Sequence, residues 1–236
     1  MLLTLILAES ALETIPQELW HHPAVRSYSQ RRGKHPQYLL LHRSYHHAAM
    51  KRAEKDEKRG RPDIVHFALL EALASPLNRE RLLQTLVHTI GDQVITVDPR
   101  TRLPRNYNRF VGLMEQLFEL GRVPPTGELL LELEPKALAE LVDEIEATHV
   151  TLFSRKGTVS TVEDVVSRLS AEEGPVVMVG AFPHGDFSEA TAQVADELVC
   201  VDPEVLDAWT LTSRVIYEYE RAISLPQKRI GQKILG

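Results

Sequence analysis

The 236-residue sequence predicts an α/β protein with a mainly parallel β-sheet and helices on both of its faces. Three observations lead to this fold class. Short continuous runs of Val, Leu and Ile, typical of strands buried on both faces, recur along the chain. Segments with apolar residues three and four positions apart, typical of helices, lie between them. The two kinds of segment alternate, which is the order expected for parallel α/β sheets.

The strands are predicted from short apolar runs. The N-terminal run LLTLILA has seven residues and no basic leader, so it indicates a buried strand and not a signal or membrane segment. Gly91-Asp92 favours a hairpin, so some antiparallel pairing is expected. The predicted strands are Leu2–Leu7, Tyr38–Leu41, Leu86–Ile90, Val94–Val97, Leu129–Leu133, Val150–Phe153, Val176–Gly180 and Leu198–Val201.

The helices are predicted from periodicity and from their start signals. Ser75-Pro76, for example, combines an N-cap residue with a proline at the first helical position. The predicted helices are Pro62–Leu73, Pro76–Leu83, Asn106–Leu120, Pro135–Ala147, Val162–Leu169 and Leu206–Ile223. The stretch His21–Gly60 is rich in His, Arg and Lys and poor in apolar residues, so we expect it to be mostly surface and partly loop.

Composition and length indicate one globular unit. Hydrophobic residues make up 43% of the chain, and no clear linker divides it, so we expect a single domain over residues 1–236 with a basic insert at about residues 21–61. The single cysteine, Cys200, excludes an intramolecular disulfide and a cysteine-based zinc site, and it suits a reducing compartment. A cytoplasmic location is therefore expected.

The charge is unevenly distributed along the chain. The formal net charge is −6, yet the segment Arg26–Arg61 has eleven Lys or Arg against three Asp or Glu, a net charge of +8. The segment Val111–Gly236 has ten against twenty-two, a net charge of −12. This asymmetry favours a basic surface for RNA or DNA on an acidic body. A solvated charged face is the alternative interpretation.

Three arginines form a candidate polyanion site. Arg102, Arg105 and Arg109 lie in TRLPRNYNRF, which contains no acidic residue. Their spacing places them on roughly one side of a helix start. Free backbone N–H groups and the helix dipole already favour anions there, and the arginine fork matches phosphate.

Arg61 and Asp63 flank the proline that starts another predicted helix. Asp63 in the first turn is favourable to the helix dipole, which is the simpler interpretation. Alternatively, its carboxylate pairs with Arg61, fixes the guanidinium and directs the remaining donors at a ligand.

Two loops follow predicted strands and are candidates for a ligand site, because ligands in α/β sheets collect beyond the carboxyl ends of strands. The first has Gly180 and Gly185, which allow close approach of the backbone, and the second begins at Asp202. Neither is a GxGxxG motif or a P-loop, and an ordinary turn is the alternative for the first. Trp209, which follows, is more typical of a core or an interface.

His42 and His46 have the i, i+4 spacing of metal ligands. No Cys or carboxylate cluster accompanies them, so no metal site is expected.

Several of these segments resemble one family. KRGRPDIVH, SPLN, TRLPRNYNRFVGLMEQL, VGAFPHGDF and LDAWT are similar, in the same order, to motifs of the small-subunit ribosomal RNA pseudouridine N1-methyltransferases. These are ribosome biogenesis factors of the SPOUT, or α/β-knot, superfamily. The resemblance runs from about Leu2 to Ala222 and is to the archaeal type. Two positions depart from the pattern: Ala74 and His42 stand where many relatives have Asp.

The resemblance implies a C-terminal trefoil knot, a feature that is very rare in proteins and that periodicity does not reveal. It also implies a homodimer with S-adenosyl-L-methionine bound in the knotted loops. Arg61, Arg102, Arg105 and Arg109 would contact RNA, and Asp63 would hold Arg61. The implied cofactor contacts are Leu152, Gly180, Gly185, Asp186, Phe187, Val201, Asp202, Pro203, Glu204, Val205 and Leu206.

The implied reaction is methylation of N1 of a pseudouridine in small-subunit, 16S-type ribosomal RNA, with Arg61 and Asp63 as the catalytic pair. Arg61 would favour the anionic base or its phosphate. We expect Asp63 to orient Arg61, because the ion pair would weaken it as a base. Ribosomal RNA, a second copy of the chain and small-subunit ribosomal proteins are the expected partners, with no membrane. A non-catalytic RNA-binding assembly factor and a SPOUT methyltransferase for transfer RNA are the alternatives.

Overall fold

The computed structural model of the chain describes residues 2–51 and 53–234 and contains one large β-sheet. Arg52 of the basic insert and both ends of the expected domain lie outside the described residues. The described strands are β1 (Leu3–Ser10), β2 (Leu83–Thr89), β3 (Gln93–Val97), β4 (Arg122–Val123), β5 (Leu131–Pro135), β6 (His149–Val159), β7 (Pro175–Gly180) and β8 (Glu197–Cys200).

The sheet has the order β4-β5-β3-β2-β1-β7-β6-β8. The five strands from β2 to β8 in this order are parallel, and β3, β5 and β4 add an antiparallel edge. This confirms the predicted mainly parallel sheet, and the β2–β3 hairpin forms where Gly91-Asp92 predicted it. The trefoil knot implied by the resemblance stays a prediction.

The α-helices alternate with the strands along most of the chain. They are α1 (Pro23–Arg32), α2 (Arg43–Met50), α3 (Pro62–Ala74), α4 (Pro76–Arg79), α5 (Tyr107–Leu120), α6 (Leu138–Glu144), α7 (Val162–Leu169), α8 (Glu189–Val194), α9 (Ala208–Ala222) and α10 (Leu225–Ile234). Among the described residues, no helix combines the length and the apolar character needed to cross a bilayer.

The central strand β1 divides the core into two parts. Its side chains alternate, so Leu5 and Leu7 enter one apolar cluster while Ile6 and Ala8 enter another. Helices α3, α5, α7 and α9 cover the first cluster, and α6 and α8 cover the second. The predicted coverage of both faces is therefore confirmed.

Several predicted elements have different bounds or a different type; the predicted strand Val150–Phe153, for example, extends over His149–Val159. The predicted strand Tyr38–Leu41 is a short 3-10 turn at Pro36–Tyr38 followed by extended chain, which pairs only as an isolated bridge between Thr14 and Leu40. The predicted helix Pro76–Leu83 ends at Arg79, because Arg81 adopts a φ of +58° and the chain enters β2. The predicted helix from Pro135 begins at Leu138, because Pro135 completes β5.

The basic insert is more ordered than its composition predicted. It contains α1 and α2, and its few apolar residues converge in a third core cluster. Val25, Leu39, Leu41, Ala49 and Met50 are each at most 1% exposed. The segment is mostly surface and partly loop, as predicted, but the sequence did not predict this small core, because its widely spaced apolar residues meet only in the folded chain.

Candidate functional site

A cavity lies at the carboxyl ends of β7 and β8 and beside residues 153–155 of β6, where the sequence predicted a ligand site. It has a volume of about 290 Å³. Gly180, Gly185, Asp186 and Phe187 line it from the loop after β7, and residues 205–206 line it from the loop after β8. A smaller cavity of about 100 Å³ shares several of its walls and is also lined by Val201, Asp202 and Glu204. The structure therefore brings the two predicted loops together.

Two predicted cofactor contacts lie elsewhere in the loops and strands. Leu152 is fully buried in the second core cluster, and its neighbour Phe153 lines both cavities. Alternation along β6 explains this difference, because successive side chains point to opposite faces of a sheet. Pro203 is exposed and is absent from both cavity walls.

Several cavity residues were missed by the sequence analysis. Phe153, Phe182, Trp209 and Leu211 form much of the apolar wall. The strand periodicity offered a signal for Phe153, and the position of Trp209 just after the predicted loop offered one for that residue. For Phe182 and Leu211 the orientation of the side chain is set by the fold.

The two glycines of the first loop have different physical roles. A Cβ at Gly180 would lie 2.8 Å from Phe187 Cζ and 2.9 Å from Phe182 Cε1, so a side chain there would displace the aromatic wall. Gly185 has a φ of +97°, which side chains disfavour. Both positions therefore require glycine for the shape of the cavity wall.

The cavity is bordered by backbone donors that the protein itself leaves free. Residues 184–187 and 205–206 lie in loops, outside helices and strands, and none of their backbone N–H groups has an acceptor within the part of the chain that the structure describes. Backbone N–H groups need a partner when they are shielded from water. These loops are therefore suited to bind the polar edges of a ligand whose body lies on the apolar wall.

Arg61 forms the rim between this cavity and a second, outer groove. Its Nε donates to Asp63 Oδ1 at 2.8 Å, and its Nη2 donates to Asp63 Oδ2 at 2.7 Å. This fork fixes the guanidinium and leaves Nη1 without a protein acceptor among the described residues. Arg61 is 37% exposed, so its free donors can reach a ligand. The pairing expected from the sequence is thus present.

The outer groove has a volume of about 710 Å³ and lies between the insert and α3. Arg61 and Asp63 line it together with His42, His47 and Tyr107. Burial is the main factor that lowers the pKa of His42, with Arg61 adding to it and Asp63 opposing it. We therefore expect His42 to be neutral at neutral pH.

His42 and His46 bond to the backbone and do not form a metal-ligand pair. His42 Nδ1 accepts from Ser44 N–H at 3.1 Å and caps α2, which is a role that Asp performs well at an N-cap. His46 Nδ1 accepts from His42 N–H at 3.0 Å. Over residues 2–51 and 53–234, no three His, Cys, Asp or Glu side chains are grouped as metal ligands.

The three arginines around the start of α5 form an exposed basic face. Arg102, Arg105 and Arg109 are all exposed, and none has an ion pair with any described residue. Asn106 caps the helix by accepting from Arg109 N–H at 3.1 Å. His66 on α3 bonds to Pro104 O at 2.8 Å, which ties this segment to the helix that Arg61 begins. The structure therefore places the basic face and Arg61 on connected elements.

The chain matches the model of the EMG1/NEP1 methyltransferase family over residues 5–220. It belongs to this family. The match confirms the resemblance expected from the motifs, which spans nearly the same residues. Because it includes both loops, Arg61 and the arginine segment, the candidate site lies wholly within the family region.

Curated relatives of the EMG1/NEP1 family are similar over nearly their whole length. "Ribosomal RNA small subunit methyltransferase Nep1" of Pyrococcus furiosus is 48% identical over 218 residues, which cover 92% of this chain and 96% of the relative. The protein of the same name from Thermococcus kodakarensis is 45% identical over 224 residues, which cover 95% and 100%.

A solved structure of the family shares the fold. Archaeoglobus fulgidus Nep1 bound to S-adenosylhomocysteine is 43% identical, with a TM-score of 0.84. The alignment covers 95% of this chain and all of that one.

Proposed function

We propose that the protein transfers a methyl group from S-adenosyl-L-methionine to N1 of a pseudouridine in small-subunit ribosomal RNA and acts in small-subunit biogenesis. One observation carries the proposal. Arg61 lines the cavity at the strand ends and also the outer groove, whose wall includes Tyr107, which lies between Arg105 and Arg109 in the chain. A ligand in the cavity and an RNA on that face would therefore meet at one fixed guanidinium.

The residues of the cavity fit S-adenosyl-L-methionine. Its purine ring suits the apolar wall of Phe153, Phe187 and Leu206, and its polar edges suit the free N–H groups of the two loops. A relative of 43% identity is described as bound to the corresponding product, S-adenosylhomocysteine. When bound, S-adenosyl-L-methionine supplies an electrophilic methyl group. We assign the contacts to the loop residues 180–187 and 201–206, with Phe153 in place of Leu152.

Methylation of N1 of pseudouridine requires that the protein stabilise the base without its N1 proton. N1 of pseudouridine carries a proton, and its lone pair is committed to the ring until that proton leaves. When that proton passes to solvent water, negative charge remains on the uracil ring. The free Nη1 of Arg61 is positioned to stabilise that charge or the neighbouring phosphate. We assign this catalytic role to Arg61 and a positioning role to Asp63, which holds two of the guanidinium nitrogens.

RNA binding is assigned to Arg61, Arg102, Arg105 and Arg109. Arg102, Arg105 and Arg109 have no carboxylate partner among the described residues, so each keeps its full forked guanidinium for phosphate, whereas Arg61 offers only its free Nη1. The target base would leave its loop and enter from the outer groove, because single-stranded bases can be splayed out at low cost. Holding the base and the methyl donor in one geometry would account for a large part of the acceleration.

We further propose a homodimer. Phe67 is 47% exposed and Val205 is 69% exposed, and Phe67 packs against Trp209 with ring centroids 5.3 Å apart. This apolar surface borders the cavity, so a second copy would cover both. We also propose that the chain forms a single domain with a trefoil knot. We propose that the protein is cytoplasmic and contacts small-subunit ribosomal proteins.

The test is a methylation assay with a radiolabelled methyl group. Three hairpin RNAs of identical sequence have pseudouridine, uridine or N1-methylpseudouridine at one loop position. Transfer to the pseudouridine hairpin alone would support the proposal. Cofactor binding by calorimetry without transfer to any RNA would indicate an assembly factor. Transfer to a transfer-RNA substrate in preference to the ribosomal hairpin would indicate the other alternative.

A further inference from the structure

A second pocket lies beside the outer groove, between the basic insert and α5. It has a volume of about 500 Å³ and is distinct from the cavity at the strand ends. Its walls include the aromatic rings of Tyr28, His42, Tyr45 and Tyr107, together with Arg31 and Asn108. Tyr28 and Tyr45 have no part in the proposed reaction, because neither lines the cavity or the outer groove.

The aromatic wall has a fixed part and an open part. Tyr28 and Tyr45 stack with ring centroids 4.8 Å apart and an interplanar angle of 27°. Tyr28 is 6% exposed, and its hydroxyl accepts from Arg32 at 2.8 Å, so it is held in place. Tyr45 is 48% exposed. An exposed ring backed by a buried one is a stacking platform for another planar group.

The polar atoms of the pocket indicate a ligand with hydrogen-bonding edges. The Tyr107 hydroxyl is buried and has no hydrogen-bond partner among the described residues. A buried hydroxyl without a partner is unfavourable, so a ligand atom that pairs with it would stabilise both. Asn108, which is exposed at the pocket wall, offers an amide donor and an amide acceptor.

The charged groups favour a nucleic acid over a free apolar ligand. Arg32 is neutralised by Glu115, with Nη2 and Oε2 2.7 Å apart. Arg31 has no such ion pair within residues 2–51 and 53–234, and its Cζ lies 5.3 Å from the Tyr28 centroid and 5.6 Å from that of Tyr45. It can therefore contact a phosphate beside the stacking platform.

The pocket is continuous with the proposed RNA path. His42 and Tyr107 line both this pocket and the outer groove that contains Arg61. Asn108 precedes Arg109 of the basic face. An RNA strand that places one base beside Arg61 would therefore pass the pocket within a few nucleotides.

We propose that this pocket binds a second nucleobase of the RNA, close in sequence to the target and stacked on Tyr45, with Asn108 and the Tyr107 hydroxyl reading its edge. The inference rests on the proposed function, and it adds a specificity site that recognises the loop around the pseudouridine.

The test pairs base removal with protein variants. Each loop nucleotide of the pseudouridine hairpin except the target is replaced in turn by an abasic one, and affinity is measured for the native protein and for Tyr45→Ala. With the native protein, one position beside the target should lose about tenfold in affinity, which corresponds to about 1.4 kcal/mol. With Tyr45→Ala the intact hairpin should already bind about tenfold more weakly, and removal of that base should then change little.

Three controls make the outcome specific. Tyr45→Phe retains the ring and should behave as the native protein does. Arg31→Ala and Arg26→Ala each remove one cation from α1, and of the two only Arg31 lines the pocket. Only with Arg31→Ala should the losses of RNA affinity caused by the substitution and by removal of the same base be non-additive. A 2-aminopurine at that position should be quenched by the native protein and not by Tyr45→Ala.

The proposal would be overturned if removal of that base lowered the RNA affinity of Tyr45→Ala as much as that of the native protein. In that case the effects of the substitution and of base removal on affinity would simply add. Methylation of the intact pseudouridine hairpin by the native protein is measured in the same series. Its absence would count against the proposed function, whereas normal methylation without coupling would count against the pocket alone.

Discussion

The buried ion pair between Lys58 and Glu9 offers a test of how the fold holds the cofactor site. It connects the end of the basic insert to the loop after β7, which lines the cavity. Lys58 Nζ lies 2.5 Å from Glu9 Oε2, and each side chain is 8% exposed. The other carboxylate oxygen accepts from Ser188 N–H at 2.8 Å, and Lys58 Nζ lies 4.3 Å from the centroid of Phe182. Lys58→Met would retain most of the side-chain volume and remove the charge.

The expected cost follows from the burial of both partners. Removal of one partner from a buried pair leaves an uncompensated charge and typically costs about 3–5 kcal/mol. For a chain of this size, that loss lowers the melting temperature by about 6–20 °C. The matched control is Lys136→Met, whose partners Glu134 and Glu144 are 51% and 60% exposed. Exposed pairs contribute little, so the control should cost under about 1 kcal/mol.

The pH dependence gives an independent check of the same argument. Burial alone would raise the pKa of Glu9, but hydrogen bonds from Lys58, Ser188 and Thr191 outweigh burial and lower it. A lowered pKa means that this carboxylate stabilises the native protein above its ordinary pKa, and that the contribution is lost as the pH falls through the lowered value. In Lys58→Met burial should dominate, so the folded variant takes up a proton more readily. The difference in the free energy of unfolding between the native protein and Lys58→Met should therefore be largest near neutral pH and become smaller in acid.

The measurement is urea unfolding of the native protein, Lys58→Met and Lys136→Met between pH 4 and pH 7. Calorimetry at neutral pH measures their binding of S-adenosyl-L-methionine. Cofactor affinity should also fall, because the loop after β7 loses its anchor. The double variant Glu9→Gln with Lys58→Met should recover part of the stability, since it buries no lone charge. A Lys58→Met cost as small as that of Lys136→Met, or one that does not change with pH, would refute the reasoning.

Three further predictions concern the candidate site. Arg105→Ala should weaken RNA binding and reduce its salt dependence by about one counterion without changing cofactor affinity, and an unchanged salt slope would remove Arg105 from the phosphate contacts. Gly185→Val should lower cofactor affinity at least about tenfold, because a β-branched residue does not adopt its φ of +97°; full affinity in a folded variant would place the ligand elsewhere. Arg61→Ala and Asp63→Ala should be non-additive in methylation rate, since either change releases the guanidinium, whereas additive losses with recovery at high pH would make Asp63 a general base.

The sequence by itself determined the features that depend on local pattern. Apolar runs and helical periodicity gave the parallel sheet with its covered faces, and the acid-free run TRLPRNYNRF gave an exposed arginine face. The Arg61–Asp63 pair could also be predicted from the sequence, because its two residues are two positions apart at the start of one helix. The long motifs identified the family, which the comparisons confirm.

The tertiary structure decided the features that join distant parts of the chain. Lys58 and Glu9 are 49 positions apart, and Tyr28 and Tyr107 line one pocket although α2, α3, α4, β2 and β3 lie between α1 and α5 in the chain. Local periodicity carries no information about such pairs, because the energy of a buried contact depends on which surfaces meet and not on spacing along the chain. For the same reason, the small core of the basic insert could not be predicted from the sequence.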